Sequence, residues 1–295
     1  RPPRSTLFPY TPLFRSMAVP IFNANPFPGI RSYEITESHL FYGRELQVGE
    51  LKNRLFETRF LAIVGSSGCG KPSLVQAGLI PSLMTGETTG INKFWKLVLF
   101  RPGDNPVRNL AVAIDDPRYD PDHIVEKLMA GGNGLVDILS GILAPGGSIL
   151  ICIDQFEELF RFKRNRPMSG ASDEARAFTD LILAAIRQTR IPVYTIVSMR
   201  TDFLDECTEF RELGEMINKG YYLVPRMNRD EMRLAITGPI ATANGAITGD
   251  LVSRLLEDIG DNADQLPALQ HAMMRMWENW SINKTGDIQI GRAHV

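Results

Sequence analysis

Five short apolar runs punctuate the middle of the chain, and segments with a helical period lie between them. The runs are Phe60–Val64, Lys96–Arg101, Ser148–Ile153, Pro192–Met199 and Tyr221–Val224. Four are largely uninterrupted, the pattern of strands covered on both faces. Between them Leu74–Met84, Val107–Ile114, Gly134–Leu143 and Glu174–Arg190 predict helices. The last places Phe178, Leu181, Ile182, Ala185 and Ile186 on one face. Strands alternating with helices predict an α/β fold with a parallel sheet. Arg164–Ser172, polar and carrying Pro and Gly, reads as a loop. From about Pro225 the strand signal stops. Arg229–Ala243, Gly249–Ile259 and Gln265–Trp280 read as three helices, with Asn228 and Asp264 as N-caps, so a helical subdomain is expected after the sheet.

Composition narrows the class. The 295 residues are 44% hydrophobic, enough for a sizeable core, and 22% charged. A net charge of −2 argues against a broad nucleic-acid surface. No apolar run approaches the roughly 20 residues of a membrane helix. Cys69, Cys152 and Cys207 form neither a metal-ligand spacing nor a disulfide framework, which points to a reducing, cytoplasmic setting. His39, His123, His271 and His294 are scattered.

Both ends read as foreign. Thr6–Ser16 has neither helical nor strand period and lacks a signal-peptide cleavage site. It resembles a translated sequencing adapter, departing from that frame only at Pro12, and Ile290–Val295 resembles the partner adapter. Residues 1–16 and 290–295 are therefore expected to be non-native, with Met17 as the start and Gln289 as the end of a read.

The chemistry begins with Gly65-Ser66-Ser67-Gly68-Cys69-Gly70-Lys71, directly after the first apolar run and before a helical pattern. Strand, glycine-rich loop and helix are the context of a phosphate-binding loop. Its glycines let backbone N–H groups approach phosphate oxygens, the helix N-terminus adds partial positive charge, and Lys71 neutralises the outer phosphates. The position after this lysine normally carries a hydroxyl that ligates Mg²⁺. Here it is Pro72, with Ser73 one step later and about 100° further round the helix. Proline supplies neither hydroxyl nor N–H and disfavours helical geometry at Lys71. Pro72 is either natural, harmless in a first helical turn, or a read error like the departure at Pro12.

A second element is the apolar run ending in Asp154, followed by Gln155-Phe156-Glu157-Glu158. An apolar strand ending in Asp is the Walker B arrangement, in which Asp154 would hold Mg²⁺ and Glu157 or Glu158 would deprotonate the attacking water. A third is the strand ending in Arg200-Thr201-Asp202. Arg200 reads either as a γ-phosphate sensor in the ligand crevice or as half of a surface salt bridge.

With these motifs in place the chain resembles the STAND class of signalling ATPases, and within it the novel STAND NTPase type found ahead of WD40 repeats in bacteria. The resemblance runs from about Asn25 to Trp280. It is carried by Asn25-Pro26-Phe27-Pro28-Gly29, Leu40-Phe41-Tyr42-Gly43-Arg44-Glu45, Arg101-Pro102-Gly103, Asp154 to Phe160, Arg200-Thr201-Asp202-Phe203 and Leu266-Pro267-Ala268-Leu269-Gln270-His271-Ala272. It implies sheet order 5-1-4-3-2, a helical lid and a winged helix beyond it. It also implies a leading segment, residues 17–45, whose Phe41, Gly43 and Arg44 pack near adenine, an NTPase domain over 46–224, and a lid over 225–289 whose Pro267 touches the base. Analogy with related strings favours Glu158 as the base. The implied function is a switch that binds ATP with Mg²⁺, self-associates when closed and resets by slow hydrolysis, with its C-terminal sensor region missing here. A nucleotide-binding scaffold that does not hydrolyse is the rival that Pro72 favours. An AAA-type motor is a third, for which no trans-acting arginine motif is evident.

Overall fold

The computed structural model describes residues 25–85, 94–165, 171–260, 266–283 and 287–288. The adapter-like ends, Met17, Asp264, Gln265 and the middle of the Arg164–Ser172 loop lie outside them.

Five strands form one sheet: β1 (Phe60–Gly65), β2 (Phe94–Phe100), β3 (Gly147–Ile153), β4 (Val193–Arg200) and β5 (Tyr221–Leu223). Their order is β2-β3-β4-β1-β5 and every pairing is parallel. This is the 5-1-4-3-2 order of the P-loop NTPase resemblance. Every residue of β1 and β3 is buried, whereas the edge strand β2 is only partly covered. Successive side chains of β1 point to opposite faces. Phe60, Ala62 and Val64 join one core with Leu110, Phe156 and Phe178, while Leu61 and Ile63 join another with Leu51, Leu55, Leu74 and Leu79. Burial of each such side chain contributes about 1.5–3 kcal/mol, so the doubly covered centre dominates the stability of the sheet.

Helices flank the sheet at Glu45–Thr58, Pro106–Ile114, Pro121–Met129, Gly134–Ile142, Glu158–Asn165, Ala171–Arg187 and Arg211–Gly220. The loop expected over Arg164–Ser172 is thus shorter than its polar composition suggested, because a helix reaches into it from each side. After β5, helices Arg229–Thr242, Gly249–Ile259 and Leu266–Asn283 form the lid. Its first helix starts at a reciprocal cap. Asn228 Oδ1 accepts the Asp230 and Glu231 N–H groups at 2.9 Å, and the Glu231 carboxylate accepts the Asn228 N–H at 2.8 Å. The lid has a core of its own, in which Ile236, Leu251, Val252, Leu255, Met273 and Trp277 cluster with Phe27. Phe27 belongs to the leading segment, which therefore plugs the lid from outside its three helices.

The leading segment also ties lid to sheet. Asn25 Nδ2 donates to the Met274 carbonyl at 2.9 Å, and the Tyr33 hydroxyl bonds the Gln270 side chain at 3.3 Å. The Tyr33 backbone N–H donates to Ser73 Oγ at 3.1 Å, on the helix that follows the glycine loop. Gly43 sits against the lid: a Cβ there would meet the Glu231 carbonyl oxygen at 2.3 Å.

Candidate nucleotide site

The register of the sheet sets the site. Gly65 at the end of β1 pairs with Arg200 at the end of β4, and β3 beside them ends one residue before Asp154. Three motifs far apart in the chain thus meet at the carboxyl ends of adjacent strands, where open α/β sheets bind ligands.

The loop after β1 turns on Gly68 (φ 78°) and Gly70 (φ 89°), left-handed conformations in which a Cβ is strained. Gly65 is needed for space, because a Cβ there would lie 2.6 Å from Cys69 Sγ. The helix begins at Lys71, and the Leu74 N–H closes its first turn on the Gly70 carbonyl at 2.9 Å. The expectation that Pro72 drives Lys71 out of helical geometry is not met. The missing N–H falls in the first turn, where backbone donors have no partner inside the helix. Leu74–Leu79 then continues as a π-helical segment before Ile80–Met84 returns to α geometry. Lys71 is buried, and its ammonium donates to the Gly65 carbonyl at 2.9 Å and the Ser66 carbonyl at 2.7 Å. Ser66 and Ser67 are exposed at the mouth of the loop.

Asp154 is buried and fully engaged. Oδ1 accepts the Ser198 hydroxyl at 2.7 Å, and Oδ2 accepts Arg101 Nε at 3.0 Å and Nη2 at 2.9 Å. Sequence reasoning gave Arg101 no role, although it directly follows β2 as Asp154 directly follows β3. Gln155, at a positive φ of 54°, links the same group. With its amide oxygen toward Arg101 Nη2 (3.3 Å), its amide nitrogen donates to Glu158 Oε1 (3.0 Å). Glu158 Oε2 accepts the Gly103 N–H at 3.0 Å. Glu158 thus supports the turn after β2. Glu157 is 5% exposed and its Oε2 has no hydrogen-bond partner. Burial pushes its carboxyl above the usual range, against the pull of backbone N–H groups and the Lys71 charge. Arg200 pairs with Asp202, so the salt-bridge reading describes its geometry here, yet its Nε is buried without a partner.

A cleft of about 430 Å³ opens between loop and lid. Gly68 to Ser73, Phe41, Arg44 and Pro267 line it together, along with Tyr33, Arg101, Gln155 and Gln270. Gly43 is not among the lining residues and acts instead in packing the leading segment on the lid. Arg44 is buried and donates to the Pro225 carbonyl at 3.0 Å.

The loop fits a polyphosphate, and the size and part-apolar lining of the cleft fit a nucleoside. Mg²⁺ meets a depleted ligand set here. Position 72 has no hydroxyl, Ser73 Oγ already accepts the Tyr33 N–H, and the Asp154 carboxylate already accepts Ser198 and Arg101, so a metal would have to share or displace these partners. The described residues hold no group of three or more His, Cys, Asp or Glu placed for a metal. Nor do they include a helix long and apolar enough to cross a membrane.

A family profile described as Novel STAND NTPase 1 matches residues 26–290. No protein of curated function matches the chain in sequence. Among solved structures, the ORC1 protein of Aeropyrum pernix in complex with DNA superposes with a TM-score of 0.54 at 14% identity, covering 85% of this chain and 63% of that one. The ORC2 protein of the same organism, in ADPNP-ADP complexes, gives 0.51 at 14% identity, covering 83% and 64%. The chain thus spans less than two thirds of either protein, and the likeness is one of fold.

Proposed function

This chain belongs to the novel STAND NTPase 1 family, and from that starting point we propose that it is an ATP-operated signalling switch. One observation carries the reading: the glycine loop with Lys71 and the lid residue Pro267 line the same cleft. ATP bound there touches sheet, leading segment and lid at once, so nucleotide state and lid position are coupled. The closed form self-associates. Free, buried cysteines accord with a reducing, cytoplasmic setting.

Slow hydrolysis resets the switch. Water attacks the γ-phosphorus, the bond to the bridging oxygen breaks, and the water proton passes to a carboxylate. Glu157 suits that role better than Glu158, because it keeps an oxygen free while Glu158 holds Gly103 and Gln155. Lys71 and Arg200 supply positive charge beside the loop. No step is assigned to Mg²⁺.

A second reading, a nucleotide-binding scaffold without turnover, is favoured by Pro72. Light scattering of the chain with ATP and with ADP, alongside phosphate release, separates the two. A switch gives larger assemblies with ATP and measurable release. A scaffold gives ATP binding with no release, and equal size in both nucleotides argues against switching.

A further inference from the structure

We infer that the Arg101 guanidinium takes the place of the divalent cation in this site, so that nucleotide binding is independent of Mg²⁺. The inference rests on the nucleotide-binding reading above and concerns which positive charge stands beside Asp154.

Three observations converge. First, the side chains that would hold a metal are otherwise engaged. Pro72 offers no oxygen, Ser73 Oγ is bonded to the Tyr33 N–H, and Asp154 is shared between Ser198 and Arg101. Second, the void that Pro72 and Asp154 line with Val75, Leu99 and Ile196 measures about 10 Å³. That is room for a single water and not for Mg²⁺ with the several waters it keeps, so this void is not a metal site. Third, Arg101 is built to serve as the cation. Two of its nitrogens bind one Asp154 oxygen, and the Gln155 amide touches Nη2, fixing the plane of the group. Its side chain is still 53% exposed and lines the cleft with Lys71. A guanidinium presents further donors to phosphate oxygens. Asp154 then serves to position Arg101 rather than to bind metal.

The test is calorimetric titration of the full chain with ATP, once in Mg²⁺ and once in EDTA. The two dissociation constants are expected to agree within about twofold, less than 0.5 kcal/mol by the usual conversion. Arg101→Ala is expected to weaken binding in EDTA by about tenfold or more, the loss of charge-assisted contacts. Mg²⁺ is expected to restore part of that loss, because Asp154 is released. Wild-type binding that needs Mg²⁺ overturns the inference and leaves the nucleotide-binding reading intact. Undiminished binding of Arg101→Ala in EDTA also overturns it. Absence of ATP binding by the wild type in both buffers overturns the nucleotide-binding reading itself. The wild-type comparison stands whether or not the variant folds.

Discussion

Glu157 and Glu158 are adjacent yet meet different surroundings, and their substitution should separate two roles. Glu157→Gln is expected to keep ATP affinity and lose roughly 10²–10⁴ in turnover, the usual worth of a general base. Glu158→Gln keeps an oxygen able to accept the Gly103 N–H, so a small change is expected. Phosphate release by the two variants decides between them. Burial raises the Glu157 carboxyl, and the sign follows. A raised folded value means that the protonated form is stabilised by folding, a contribution present at low pH and lost as pH rises through that value. Glu157→Gln therefore should not lower the thermal midpoint at pH 7. Turnover by the wild type should fall on acidification at a pH above the ordinary glutamate value of about 4.3, which a pH–rate profile reads. Pro72→Ser returns a backbone N–H to the loop. It is expected to tighten ATP binding about ten- to a hundredfold and to raise turnover, in side-by-side titration and phosphate release. Equal performance of the proline chain would contradict this account of the loop. At this scale the placement of the glycine loop, Asp154 and Arg200 at neighbouring strand ends was legible from the apolar runs they follow. The occupancy of Asp154 was not, because Arg101 and Ser198 reach it through strand neighbours that spacing does not reveal.

At the scale of elements, legibility followed burial. β1 and β3 are buried throughout and read as continuous apolar runs. Glu45–Thr58 and Arg211–Gly220 escaped the sequence reading because each buries only three residues, too narrow a stripe to stand out. Pro121–Met129 had a signal that went unread. Asp120 caps it by accepting the His123 N–H at 2.8 Å, with proline next in the chain. Close contact between elements was equally hidden. Gly220 ends its helix against β1, where a Cβ would lie 2.3 Å from the Phe60 carbonyl oxygen. Gly220→Ala is expected to destabilise the chain by about 1–3 kcal/mol, the usual cost of overpacking. Urea denaturation measures it, and an unchanged midpoint would mean that the helix end shifts freely.

For the whole molecule, sheet and lid hold separate cores, and the leading segment crosses between them, with Phe27 in the lid core and the Tyr33 N–H on Ser73 of the helix after the glycine loop. The sheet order followed from the family resemblance alone, the parallel sheet from the strand-helix alternation, and the helices after the sheet from the loss of the strand signal. The leading segment's place beside the loop came from the resemblance alone, since nothing in its periodicity marks it. The central claim is that adenine nucleotide binds in the cleft these three parts enclose. Its most direct test is calorimetric titration of ATP into the wild-type chain and into Lys71→Ala, with GTP as the control. ATP is expected to bind the wild type at one site per chain and more tightly than GTP, and binding is expected to vanish in Lys71→Ala. Unchanged ATP affinity in Lys71→Ala would contradict the claim and move the site elsewhere.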